Sequence, residues 1–94
     1  MLLTLTDPKG RTVLLREREW ELVCRRHPEM SGHDAAVGAT VTDPEVHVDD
    51  PAPGHERFHR QGCGPAEWLR VSVIEDHRSA RVTTAFGHRF PPHR

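Results

Sequence analysis

The strongest constraint on the fold is residues 17–29, Glu-Arg-Glu-Trp-Glu-Leu-Val-Cys-Arg-Arg-His-Pro-Glu. Trp20, Val23, Cys24 and His27 recur at i, i+3, i+4 and i+7, which places them on one face of an α-helix. Glu17, Glu19 and Glu21 lie toward the positive end of the helix dipole, and Arg25 and Arg26 toward the negative end. Pro28 stops the helix, because proline disfavours α geometry in the residue before it and has no N–H to donate. His27 therefore ends the apolar stripe, on the side that meets the rest of the molecule. An imidazole there must be hydrogen-bonded or used.

Ninety-four residues suit one domain spanning 1–94, built on a single small core. No apolar run reaches membrane-spanning length and the start carries no secretory signal. Cys24 and Cys63 do not form a metal-type pair or a disulfide framework, which suits a reducing compartment, so a cytoplasmic protein away from membranes is expected. The net charge of −1 conceals an asymmetry. Residues 1–50 carry six basic against ten acidic side chains, and residues 51–94 seven against four. From His77 to Arg94 there are four arginines, three histidines and no acid, a field that attracts an anion such as a phosphate backbone. A solvated tail is the plainer account of the same composition.

Residues 2–6 and 12–15 are short apolar runs around Asp7-Pro8-Lys9-Gly10, the pattern of a hairpin. After the first helix, residues 32–42 predict a second one ended by Asp43-Pro44, and residues 45–48 a short strand. Asp49-Asp50-Pro51-Ala52-Pro53-Gly54 reads as an acidic, proline-stiffened loop. Beyond it the chain alternates. Arg57, His59 and Gln61 oppose Phe58; residues 67–75 set Leu69, Val71 and Val73 against Trp68, Arg70, Ser72 and Ile74; residues 81–86 set Val82, Thr84 and Phe86 against Thr83 and Ala85. The expected class is α+β, with an N-terminal hairpin and one or two helices on a four-stranded antiparallel sheet.

Arg26-His27-Pro28-Glu29 at a helix end, Arg57-Phe58-His59, Trp68-Leu69-Arg70-Val71-Ser72-Val73 and Val82-Thr83-Thr84-Ala85-Phe86 carry a resemblance in this order over most of the chain. Together they resemble the phage-associated branch of the barnase, EndoU, colicin and RelE (BECR) nuclease superfamily. That resemblance implies a metal-independent RNA endonuclease of toxin or effector type, with helices on a four-stranded antiparallel sheet, no cofactor, RNA as substrate and a neutralising antitoxin or immunity protein as partner. Two features depart from the family's pattern. Phe58-His59 stands where relatives often carry paired aromatics, and the chain as a whole is not basic.

Cleavage of RNA by its own 2′-hydroxyl needs a base at that hydroxyl, a proton donor for the leaving 5′-oxygen and positive charge on the phosphate. Histidine suits the proton transfers and arginine forks onto phosphate oxygens. By the resemblance, His27 is the acid/base candidate, Arg57 the phosphate clamp and Thr84 the hydroxyl donor to a non-bridging oxygen. His59 shares Arg57's strand face and is the candidate second proton-transfer group. Arg26, Arg60, Thr83 and Trp68 are the substrate-binding candidates, with Trp68 able to stack a base.

Each residue also has a structural explanation. His27 can cap its helix, Arg57 and His59 can be solvated, Thr84 can serve β-propensity, and Trp68 can be core. Two other functions fit parts of the sequence. One is a catalytically silent module that binds RNA or a protein. The other is a histidine-rich metal domain, because His55 and His59 are four apart, the spacing that chelates zinc on a helix. In a strand, however, that spacing spans ~13 Å, so no metal ligand is assigned.

Overall fold

The computed structural model describes residues 3–92. Strands β1 (Leu3–Thr6) and β2 (Thr12–Leu15) form the expected hairpin; Leu2 lies outside the described residues. Asp7 closes its turn, its Oδ1 accepting from the backbone N–H groups of Lys9 and Arg11 at 3.0 and 2.9 Å. Helix α1 (Glu17–Arg26) follows, and His27 donates its backbone N–H to the Val23 carbonyl at 2.7 Å. Pro28 then opens a 3-10 turn, Pro28–Met30, where its fixed φ and missing donor cost nothing. Met30 is fully buried beneath that turn.

Helix α2 (Asp34–Thr42) is apolar around most of its circumference and correspondingly buried, with Ala36, Val37, Gly38, Thr40 and Val41 all inside. The buried Thr40 hydroxyl is satisfied by donating to the Ala36 carbonyl at 2.8 Å. A Cβ at Gly38 would lie 3.3 Å from Leu5 Cδ2, so glycine lets α2 sit close to β1.

Strands β3 (Val46–Asp49), β4 (His55–Gln61), β5 (Trp68–Asp76) and β6 (Ser79–His88) run antiparallel in sequence order. The α+β class is as expected, but the sheet is not four-stranded. It has six strands in the order β1-β2-β6-β5-β4-β3, and it is mixed, because β2 joins β6 in parallel through Val13↔Ala80 and Leu14↔Arg81. A separate two-stranded hairpin is marginal in water. Continuing the sheet buries Leu5, Val13 and Leu15 in the same core as Phe58, Leu69, Val71, Val73, Val82 and Ala85. The helices meet this face through Val23, Met30, Val37 and Val41.

A second correction concerns β6. The pairing changes from Ser72↔Thr84 to Val73↔Val82, so Thr83 is the extra residue of a β-bulge. Val82 therefore faces the core, whereas Thr84 and Phe86, expected on the same side as Val82, face away from it. Among the described residues, no helix is long and apolar enough to cross a membrane. Both cysteines are free thiols.

Candidate functional site

With Phe58, Leu69, Val71 and Ala85 turned to the helices, strand alternation turns their neighbours to the opposite, open face. Three rows cross it: Arg57↔Ser72↔Thr84, His59↔Arg70↔Phe86 and Gln61↔Trp68↔His88. Neighbouring strands are ~4.8 Å apart, so Arg57 and Thr84 stand roughly 10 Å apart across β5. His27 reaches this face from the end of α1, its ring stacked on Phe86 with centroids 5.2 Å apart. The Arg70 guanidinium lies 5.1 Å from the centroid of the same phenyl ring. Phe86 is thus the common neighbour of His27 and Arg70.

Asp50, in the proline-rich loop after β3, accepts from Arg57 Nε and lies 3.8 Å from Arg70 Nη2. Its carboxyl is held below the usual carboxylate range by the backbone N–H of Ala52 and by Arg57. A carboxylate between two guanidinia marks a place that suits an anion. Burial, and then Arg57, lower the Arg70 pKa from its ordinary value. His59 is almost fully buried, and its Nδ1 lies 3.1 Å from His88 Nε2. Burial first, then His88, Arg70 and Arg57, push the His59 pKa down to about 4, so it is neutral at pH 7. Arg57, His59, Arg70, Phe86, His88 and the Phe90–Pro92 tail line a cavity of about 280 Å³.

The other candidates are placed as follows. Arg26 is exposed in the last turn of α1. Arg60 alternates to the helix side, where Nη1 donates to the Asp43 carbonyl at 2.6 Å and to its carboxylate at 3.0 Å, closing the end of α2. Thr83, at the bulge, donates to the Ser72 carbonyl at 3.2 Å. Trp68 is on the open face but buried, stacked against His88 at 6.2 Å, and presents no free ring to a base. Arg57, His59 and Thr84 thus share one sheet face, His27 touches that face through Phe86, and Arg60 lies on the other side.

Sequence reasoning missed Arg70, His88 and Asp50. Arg70 could have been found from its parity with Trp68 and Ser72. His88 lies beyond Gly87, which hid the continuation of β6. Asp50 sits in a loop with no period to place it.

Two larger hollows suit this chemistry less. One, of about 500 Å³, is bordered by Asp49, Glu56 and Glu75, with Arg11 already paired to Glu56 and Asp7. The other, of about 450 Å³, has Arg16, Arg18 and Arg81 around Glu19 but no imidazole. No group of three or more His, Cys, Asp or Glu among the described residues is arranged to hold a metal ion. Comparisons with protein-family models, with curated proteins and with solved structures find no match to this chain.

Proposed function

We propose that the open sheet face binds an RNA phosphodiester and cleaves it without a metal, in the manner of the BECR-type nucleases that the motifs resemble. The observation that carries this reading is a cavity on this face bordered by two guanidinia, Arg57 and Arg70, and two imidazoles, His59 and His88, with the His27 ring stacked on the Phe86 that also borders it. Arg57 and Arg70 take the place of a clamp once phosphate displaces the Asp50 carboxylate. His59, neutral at pH 7, accepts the 2′-hydroxyl proton, and His27 gives a proton to the leaving 5′-oxygen. Thr84 donates to a non-bridging oxygen. A neutralising protein partner would have to cover this same basic face.

Asp50 also favours a second reading, a module of the same fold that binds RNA or a protein without turnover, because its carboxylate already occupies the guanidinium pair. Incubating the protein with end-labelled single-stranded RNA in excess chelator separates the two. The nuclease reading expects fragments ending in 2′,3′-cyclic phosphate, with His27→Ala lowering the rate by roughly two to four orders of magnitude while the protein stays folded. Binding without cleavage supports the silent module, and cleavage only after divalent ions are added refutes the metal-free mechanism.

A further inference from the structure

The hydrogen bonds around His88 determine where protons sit. His88 Nδ1 lies 2.8 Å from the Phe90 carbonyl, which can only accept, so Nδ1 carries a proton. A neutral His88 then has its lone pair on Nε2, 3.1 Å from His59 Nδ1, and His59 Nδ1 must be the donor. In neutral His59 the remaining lone pair is on Nε2, the ring nitrogen that does not face His88. Both rings border the cavity that holds Arg57 and Arg70.

We propose that His59 and His88 form a two-imidazole proton relay, with the Phe90 carbonyl setting its direction; its use in RNA cleavage rests on the function proposed above. As the 2′-oxygen bonds to phosphorus, its proton passes to His59 Nε2. The Nδ1 proton of His59 moves to His88 Nε2, leaving His59 neutral and His88 an imidazolium with protons on both nitrogens. The phosphorus–O5′ bond breaks, and O5′ leaves with a proton from the His27 imidazolium. One proton has been taken up by the pair and one released by His27, and exchange with water resets both.

The surroundings favour moving the charge. His59 is buried, with Arg70 beside it on β5, Arg57 two residues away on β4 and His27 beyond Phe86. Asp50, the carboxylate beside Arg57 and Arg70, is bonded to Arg57, and the Glu45 carboxylate accepts from the Gln61 backbone N–H. A cation at His59 is therefore costly. His88 is partly exposed, has a carbonyl on one nitrogen, and lies nearly parallel to the Trp68 indole at an interplanar angle of 16°. His88 acts through His59 and is a positioning residue.

The test combines ¹⁵N NMR of the histidine rings with His88→Gln, whose side-chain oxygen can accept from His59 Nδ1 but cannot take the proton. Above neutral pH the wild type is expected to show protonated Nδ1 and bare Nε2 on both rings. His88→Gln is expected to lower kcat by about 10- to 100-fold and alter the acid limb of its pH profile, with KM and melting temperature little changed. A protonated Nε2 on His59 above neutral pH, or a wild-type kcat and pH profile in His88→Gln, overturns the relay. If the wild type cleaves no RNA while the ring tautomers are as stated, the nuclease reading fails and takes the relay's use with it, but the assigned hydrogen-bond pair stands.

Discussion

Acidification tests the electrostatics of the site without any substrate. His59 has a folded-state pKa of about 4 against an ordinary 6.5, so between these values the unfolded chain binds a proton that the folded protein refuses. Stability must therefore fall as the pH drops through this window; the part due to His59 levels off below about 4 and is absent well above 6.5. At about 1.4 kcal/mol per pKa unit, integration gives about 2 kcal/mol lost between about pH 7 and pH 5. Water in the adjoining cavity screens part of this, so the expected loss is about 1 to 2 kcal/mol. For a chain of this size that corresponds to roughly 5 to 15 °C in Tm. Glu56 and Asp50 do not confuse the comparison. Their folded pKa values are depressed, so their contributions are present above the ordinary carboxylate range and are lost only at lower pH. The assay is urea unfolding of wild type and His59→Gln at both pH values. The variant should lose most of the pH dependence; equal slopes for the two proteins, within about 0.5 kcal/mol, would refute the reasoning.

Three further outcomes are expected. Burial opposes ionisation of Glu56, yet hydrogen bonds from Arg11 and His47, both 2.7 Å, hold its carboxyl below the usual range; Glu56→Ala leaves Arg11 half-buried without that partner and should cost about 3 kcal/mol in urea unfolding. A Cβ at Gly87 would lie 2.7 Å from Ala66 Cβ and 3.3 Å from its backbone nitrogen, so Gly87→Ala should lower stability by about 1 to 3 kcal/mol, and an unchanged melting curve would contradict that close approach. Asp50→Asn removes the carboxylate facing Arg57 and Arg70 and should tighten binding of single-stranded RNA severalfold at low salt, an advantage that fades as salt screens the guanidinia.

Elements whose burial has a simple period were legible in the sequence. The Trp20–Val23–Cys24–His27 stripe located α1, and the alternation of residues 67–75 assigned Leu69 and Arg70 to opposite faces as observed. What escaped was long-range or aperiodic. The parallel pairing of β2 with β6 joins residues far apart in the chain, and nothing local to Thr12–Leu15 distinguishes an isolated hairpin from an added sheet edge. The bulge at Thr83 reverses the parity of Thr84 and Phe86 relative to Val82, and a run of β-formers conceals such an insertion. Of the candidate site, the sequence placed Arg57 and His59 on one strand face and His27 at the end of the helical stripe. Its Asp50 and His88 depend on a loop and a strand end, which only tertiary packing positions.

The proposed function requires that the imidazole ending α1 and the guanidinia of β4 and β5 gather around one anion. Titrating ¹⁵N-labelled protein with a non-cleavable 2′-deoxy dinucleotide, while following arginine Nε and histidine ring signals, tests it most directly. Arg57, Arg70, His27 and His59 are expected to shift together along one saturating curve. Shifts confined to the Arg16, Arg18 and Arg81 cleft, with His27 and Arg57 unmoved, would contradict it.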